Sequence, residues 1–509
     1  MKTSALFFFM NFINKLRPYL PPVVLAVSLL AVYLSTMAPG LTWANDGSDG
    51  GDLIAAASTG GVAHPTGYPV YLMIARGFQF IPIGSLAHRT SLLSAIATCF
   101  AAILVYLLVN HEHSQLAGLA AGLAFGLAPV IWSQAVITEV YGLHAFFAAL
   151  LLHLTSILVT SSRRAWLDRL TGIIFGLALG NHITTVLLLP LLVFSSYTYS
   201  HNNSSSSSNF KLWIKNWHID IRSLLRQFAW LGITGILVYA TLPLRALFHP
   251  PINWGNPSTL NGFLWLVSGQ LYQNEFLLSL PLIGQRIQAW IALLLAQFWL
   301  IGFVLGLLGL IVFFRPSPLM RNTIWTTLVF SAFAIVYGTA DSYVYLIPAF
   351  LCFAIWIGLG LDGLMKAATR RVPVGGLALC LVFIAYLFLY AAYTSPQVDA
   401  SRDTRAEEFG MAVMAQAPEQ AIVFAQGDEA VFTLWYFHYA LHQRRDLAVV
   451  SSDLLPFEWY LDTLRATYPD LHLPGYLPWP ESVMAVNPNR PTCFVQYVQI
   501  SDIQCSTGK

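Results

Sequence analysis

Residues 21–52 read PPVVLAVSLLAVYLSTMAPGLTWANDGSDGGD. The first part, to Met37, is an apolar run of about the length a helix needs to cross a bilayer. The chain then turns polar and places Asp46, Asp49 and Asp52 within seven residues. Charge is scarce elsewhere: 10% of the 509 residues are charged, 56% are hydrophobic, and mean hydropathy is +0.62. A membrane interior makes ionised groups costly, so acids gathered at the mouth of a span are functional candidates.

Apolar runs of this kind recur along the first four-fifths of the chain. The expected fold class is mainly α: a polytopic transmembrane helical bundle of about 11 spans with a small C-terminal α/β part. The expected spans are Pro21–Met37, Thr90–Asn110, Leu116–Ile131, Val140–Thr160, a short pair at Leu170–Leu179 and Thr184–Tyr197, and Leu224–Leu244. Four more follow at Ile287–Phe314, Thr323–Gly338, Tyr343–Leu364 and Val374–Tyr393. Gly67–Ile83 is apolar but short, and reads as a re-entrant or interfacial helix. Residues 1–14 hold a short apolar run without a clear cleavage site, so the first span is expected to act as an uncleaved insertion signal.

The basic residues give an orientation. Lys2, Lys15 and Arg17 precede the first span, and Arg163, Arg164 and Arg169 separate the fourth and fifth. Lys211, Lys215, Arg222 and Arg226 follow the sixth, Arg315 and Arg321 the eighth, and Lys366, Arg370 and Arg371 the tenth. With eleven spans all of these fall on one side, which the positive-inside rule makes cytoplasmic. The acidic loop, the loop 248–285 and the tail after Tyr393 then lie outside. HNNSSSSSN (201–209) reads as a low-complexity cytoplasmic linker.

After Tyr393 charges and prolines rise. AIVFAQG (421–427) reads as a buried strand ending in a glycine turn, and DEAVFTLWYFHYALHQ (428–443) as an amphipathic helix capped by Asp428. DLAVVSSDLL (446–455) reads as a second strand. The expected division is a membrane module over 1–394, with a catalytic first outer loop at about 38–89, and an extracytoplasmic α/β domain over 395–509. Cys493 and Cys505 lie in that domain and can pair in an oxidising space. Cys99, Cys352 and Cys380 lie in apolar spans, where packing is their expected role.

The acidic loop suits general-base work, which needs a carboxylate within hydrogen-bond reach of a nucleophile. Asp49 and Asp52, three residues apart, suit a base and its partner, and can raise one another's pKa. The plainer alternative makes Asp52, just before LIAAA, an N-cap. Asp46 reads as a solvated loop acid. AHPTGYP (63–69) is a rigid turn that presents His64 and Tyr68. His64 can meet a phosphate or serve the turn alone. Glu139 in ITEVYGLH (137–144) sits at a helix start, either as a dipole contact or as a cavity wall. Asn181 and His182 break the fifth and sixth spans at the same level. Arg245, in LPLRALFHPPINWGNP (242–257), suits a bidentate grip on phosphate or snorkelling to headgroups. Asp341 ends the ninth span, facing a substrate or a structural partner. No tight His/Cys/Asp cluster has metal-ligand spacing. No nucleotide-type glycine loop is present. Net charge of +2 speaks against a nucleic-acid partner.

Taken in order, the acidic D-x-G-D loop, AHPTGYP, TEVYGL, GNH, PLRA, PINWGNP, SGQLY, QGDEAVFTLWY and RRDLAVVSSDLL resemble the bacterial relatives of the eukaryotic transmembrane protein O-mannosyltransferases, a branch of the GT-C glycosyltransferases. The family usually has D-S-G-E where this chain has Asp49-Gly50-Gly51-Asp52, and often a second proline where it has Thr66. The resemblance implies an inverting transferase on the outer face of a bacterial-type membrane; members of the wider class differ in metal need, and the missing ligand cluster here favours metal independence. It would move a sugar, mannose among the candidates, from a polyprenyl-phosphate donor to a protein or glycan acceptor. Carried over, Asp49 is the expected base and Asp52 its partner. His64, Tyr68, Glu139, Tyr141, His182 and Arg245 are expected pocket residues, with Arg245 on the lipid phosphate. No cofactor is expected beyond the lipid-linked sugar substrate. Two rival classes remain: a lipid-linked-sugar flippase or transporter, and a non-catalytic membrane scaffold. Transporters favour internal repeats and midplane charges, neither of which is evident here.

Overall fold

The computed structural model describes residues 19–159, 161, 164–199, 217–276, 280–475, 479–497 and 503–506. The serine-rich linker, residues 1–14 and the cations Lys2, Lys15, Arg17, Arg163, Lys211 and Lys215 lie outside the described residues.

Each expected apolar stretch is helical in whole or large part. The chain runs through α1 (Leu20–Thr36), α2 (Gly50–Thr59), α3 (Pro69–Gln79), α4 (Leu86–Glu112), α5 (Gln115–Gly126), α6 (Pro129–Ala135), α7 (Tyr141–Leu158), α8 (Arg164–Asn181) and α9 (Pro190–Ser195). It continues through α10 (Ile221–Tyr239), α11 (Thr241–Ala246), α12 (Leu260–Val267), α13 (Leu280–Leu307), α14 (Pro318–Val336), α15 (Ile347–Arg371) and α16 (Gly375–Val398). Local chemistry sets several starts: Ser85, Ser114, Thr259 and Ser317 cap α4, α5, α12 and α14 by accepting from a backbone N–H.

Among the described residues seven helices are long and apolar enough to cross a membrane, and the pair α5–α6, bent by 68°, makes an eighth. The difference from about eleven has local causes. Helix α1 has only 17 residues, α8 carries Arg164, Asp168 and Arg169, and the stretch Ile183–Ser195 is short. The span containing α15 is the centre of the bundle, 94% of its apolar window being buried, against 17% for the one containing α10. The apolar flank of α10 is therefore left exposed, as suits a helix at the rim of a membrane bundle.

Polar ties replace the hydrophobic drive that lipid removes between helices. The Tyr33 hydroxyl donates to Gly126 O at 2.7 Å, joining α1 to the end of α5. Asp168 on α8 receives Arg226 of α10 at 2.6 Å. Asp362 on α15 receives His113, just past α4, at 2.7 Å and Lys366 at 2.6 Å.

Outside the bundle, Tyr197–Tyr199 (β1) and Trp217–Ile219 (β2) pair antiparallel. Helix α17 (Arg405–Gln416) leads to β3 (Ile422–Gln426), α18 (Asp428–Trp435), β4 (Ala448–Ser451), α19 (Glu458–Thr467), α20 (Pro480–Val486), β5 (Thr492–Gln496) and β6 (Gln504–Ser506). The sheet order is β4-β3-β5-β6, with β3 parallel to both neighbours and β6 antiparallel to β5. Cys493 and Cys505 are registered opposite one another and form a disulfide. Asp428 is the first residue of α18 and not its cap. Gly427, at φ +83°, holds that position. The sheet shares one continuous apolar core with the bundle, running from Leu25 through Ile54 and Phe350 to Phe424 and Val495.

Candidate active site

The first loop folds because the tail of the chain holds it. Asp403 Oδ2 accepts from Thr42 Oγ1 at 2.6 Å, Trp43 N at 3.0 Å and Ala44 N at 2.8 Å. Glu407 accepts from Leu41 N, and the Trp43 indole donates to Thr433 Oγ1. Between them the turn Ala44–Asp49 bends through Asn45 and Asp46 at φ near +60°, a region that short polar side chains tolerate. Asp49 emerges at the N-cap position of α2 without capping it through its side chain.

Asp52 lies one turn further, inside α2. The N-cap reading of this residue is corrected: the helix begins at Gly50, and the Asp52 carboxylate has other partners. It is fully buried. Its Oδ2 accepts from His64 N at 3.0 Å and meets His64 Nδ1 at 2.7 Å, while Oδ1 accepts from Trp254 Nε1 at 3.1 Å. His64 Nε2 faces Asp49 Oδ2 at 3.5 Å. The imidazole thus stands between two carboxylates, one buried behind it and one in front.

Asp49 opens onto a cavity of about 480 Å³. His64, Tyr68, Tyr141 and His182 line it too, so five of the eight expected site residues meet there. The rings form a connected wall: His64 lies 5.0 Å from Tyr68, and Tyr141 and Tyr345 each lie 5.7 Å from His182. Asp46 reaches the same cavity and accepts from Tyr343 OH at 2.6 Å, so it is not a freely solvated loop acid. Asp341 is also in the wall.

Asp52, Glu139 and Arg245 are not in the lining. Glu139 is buried and accepts from Val140 N at the start of α7, the helix-terminus reading of this residue. Arg245 donates to Gly61 O at 3.1 Å, which turns its guanidinium toward the loop behind His64.

Sequence reading missed three contributors. Asp428 enters the wall from α18. Tyr272 enters from the turn after α12, within the quoted SGQLY. Arg286 stands on α13 in an adjoining cavity of about 310 Å³ that shares Thr339 and Ala340 with the first. Its Nη2 donates to Ala334 O at 3.0 Å, Tyr337 O at 2.6 Å and the Ser342 hydroxyl. Its signal was a lone cation one residue ahead of the expected eighth span.

The electrostatics follow from the placement. Burial raises the Asp49 pKa, and the negative charges of Asp52 and Asp341 add to this while His64 opposes it. Burial pushes the His64 imidazole down, but Asp49 and Asp52 outweigh it and lift its pKa to about 9. Burial, with Asp49 nearby, raises Asp428 to about 6. Among the described residues no group of three or more His, Cys, Asp or Glu side chains is placed to hold a metal ion.

Comparison with known proteins agrees with this architecture. Residues 49–205 match the Protein O-mannosyl-transferase TMEM260 N-terminal domain, and residues 406–475 match the TMEM260-associated domain 2. The chain is 25% identical over 485 residues to the Protein O-mannosyl-transferase TMEM260 of Mus musculus, covering 89% of this chain and 65% of that protein. It thus spans just under two thirds of that relative's length. In structure it is similar to ArnT from Cupriavidus metallidurans bound to undecaprenyl phosphate. That match has a TM-score of 0.60 at 12% identity and covers 94% of this chain and 93% of the other. It is also similar to the archaeal oligosaccharyltransferase AglB from Archaeoglobus fulgidus, in complex with an inhibitory peptide and a dolichol-phosphate. The TM-score is 0.50 at 11% identity, covering 89% of this chain and 68% of the other. The chain thus resembles the protein O-mannosyl-transferase TMEM260 family in sequence over residues 49–205 and 406–475, and its fold is similar to those of ArnT and AglB.

Proposed function

We propose that the chain is an inverting glycosyltransferase that moves a sugar, mannose the leading candidate, from a polyprenyl-phosphate donor to a protein or glycan acceptor. The observation that carries this reading is Asp49, a carboxylate of raised pKa facing an aromatic-walled cavity with His64 and Asp52 behind it. Aromatic faces suit the apolar face of a sugar ring, and a raised carboxylate pKa makes a better base near neutral pH. The similarity to an ArnT structure that holds undecaprenyl phosphate supports a lipid-phosphate donor, and the AglB complex supports a peptide acceptor.

In the proposed step an acceptor hydroxyl attacks the anomeric carbon from the face opposite the phosphate. The new C–O bond forms as the bond to the phosphate oxygen breaks. The hydroxyl proton passes to Asp49, and polyprenyl phosphate leaves. Arg286, and not Arg245, is the cation beside the cavity and the proposed partner of that phosphate. His64 supplies the positive charge beside the carboxylates, so turnover is expected to survive chelation of divalent ions. The basic residues support an extracytoplasmic site and C-terminal domain in a bacterial-type plasma membrane.

The test is sugar transfer or release from a panel of synthetic polyprenyl-phosphate sugars, with membrane extract as the acceptor source. Asp49→Asn is expected to lower turnover by about 10²- to 10⁴-fold while keeping donor binding. Wild-type turnover that survives in Asp49→Asn would refute the assignment of the base. Donor binding without turnover in any mixture would favour the flippase or scaffold reading.

A further inference from the structure

The indole of Trp254 ties the catalytic loop to the tail of the chain. It belongs to the segment that follows α11, and that segment is clipped to the loop carrying His64. Val62 N donates to Ile252 O at 2.9 Å, and Trp254 N donates back to Val62 O at 3.3 Å. The approach is so close that a Cβ on Gly61 would lie 2.4 Å from Ile252 O. From this clip the indole N–H reaches Asp52 Oδ1, and the ring, only 4% exposed, packs on α18 and α19. Its centroid lies 6.2 Å from Phe432, 6.1 Å from Trp435 and 5.6 Å from Trp459. Phe432 in turn stacks on His64 at 6.2 Å.

We infer that Trp254 is a positioning residue for the proposed base: its indole N–H fixes the Asp52 carboxylate, which fixes the His64 ring facing Asp49. The inference rests on Asp49 being the reactive carboxylate. Asp52 is fully buried, and His64 occupies only its Oδ2. Without the indole, Oδ1 has no donor in a site closed to bulk water. A buried unsatisfied carboxylate oxygen is costly, so the group rotates or admits water. Either movement slackens the 2.7 Å contact that holds His64 Nδ1 and aims Nε2 at Asp49. The neighbouring indole provides a contrast within the same cluster, because Trp459 Nε1 is buried with no hydrogen-bond partner among the described residues and acts by packing.

The test compares Trp254→Phe with Trp459→Phe in the full-length protein in nanodiscs. Each replacement keeps a ring and removes an N–H. The first readout needs no substrate: the His64 titration by NMR of ¹³C-histidine-labelled protein, assigned with His64→Gln. The titratable groups facing His64 are Asp49, Asp52, Glu139, Asp428 of α18, His182 and Tyr68, and wild-type protein is expected to titrate near 9. Trp254→Phe is expected to bring the midpoint down toward the ordinary 6.5, because a loosened Asp52 raises it less. Trp459→Phe is expected to leave it in place. An unmoved midpoint in Trp254→Phe, or equal movement in both variants, overturns the inference.

The second readout is turnover. Trp254→Phe is expected to lower kcat on the order of 10- to 100-fold with donor KM nearly unchanged. In an Asp52→Asn background it is expected to cost little more, since both changes break one relay. Losses that multiply would show Trp254 acting independently of Asp52 and would overturn the inference. If wild-type protein turns over no donor, the enzymatic reading fails, and the titration still decides whether Trp254 positions the relay.

Discussion

Replacing Gly51 by alanine tests whether the acidic loop is held by the tail of the chain. Gly51 stands between Asp49 and Asp52 in the first turn of α2 and faces α18. A Cβ built there falls 2.3 Å from Phe432 O and 2.5 Å from Phe432 C. Ordinary contact begins near 3.4 Å, so α2 and α18 must part by roughly 1 Å. The obstacle is helix backbone, which cannot swing aside as a side-chain tip can. Overpacking of this kind costs about 1–3 kcal/mol. In a chain of this size that lowers the unfolding midpoint by a few degrees, about 2–4 °C per kcal/mol at most. The displacement also reaches the site, because Phe432 stacks on His64 and the Asp52 carboxylate moves with α2. A misplacement of about 1 Å can cost on the order of 10²-fold in rate. Gly77 on α3 is the control, since nothing lies within 4 Å of its Cβ position and its φ is not positive. The assay is unfolding in detergent, followed by intrinsic fluorescence, beside donor turnover. Gly51→Ala melting and turning over like the wild type would refute the reasoning.

Two further outcomes follow from the electrostatics. The His64 pKa is raised from 6.5 to about 9, so its contribution to stability is fully present below about 6.5 and is lost as pH rises through about 9. The melting temperature of wild-type protein, relative to His64→Gln, is expected to fall across that window, and a flat difference from pH 6 to 10 would refute it. Arg286→Gln is expected to weaken donor binding by about tenfold or more, as for loss of a charge-assisted hydrogen bond. Arg245→Gln, which loses only the bond to Gly61 O, is expected to leave donor affinity within about twofold. Titrating tryptophan fluorescence with donor checks both, and equal losses would refute the assignment of the phosphate partner.

Much of the bundle was legible because lipid enforces a simple rule: long apolar runs must be helices. The same rule does not say which helices are whole spans. A charged helix such as α8 and a broken one such as Ile183–Ser195 give apolar windows whose role depends on their neighbours. In the site, Asp49, His64, Tyr68 and His182 were legible because polar groups at span ends stand out against apolar surroundings, whereas Tyr141 came only through the family resemblance. Asp52 was legible as an acid but not as a buried anchor, since Trp254 lies 202 residues away. Asp428 read as a helix cap because only the docking of α18 on α2 shows that it faces the cavity. The two arginines show the limit most plainly. Arg245 and Arg286 both lie near the expected outer ends of apolar stretches, and hydropathy cannot tell which guanidinium turns toward the cavity.

The hold of Asp403, Glu407 and Thr433 on residues 41–44 also bears on the order in which the protein is made. The acidic loop leaves the ribosome directly after α1 and before every later helix. The groups that brace it arrive only when every later span has been threaded into the bilayer. Until then Asp403 is not there to gather the backbone N–H groups of Trp43 and Ala44, and α18 is not there to lie against Gly51. A nascent chain therefore carries the proposed base unbraced through most of its own biosynthesis, and a ribosome that stalls before residue 400 releases a bundle whose acidic loop lacks these contacts.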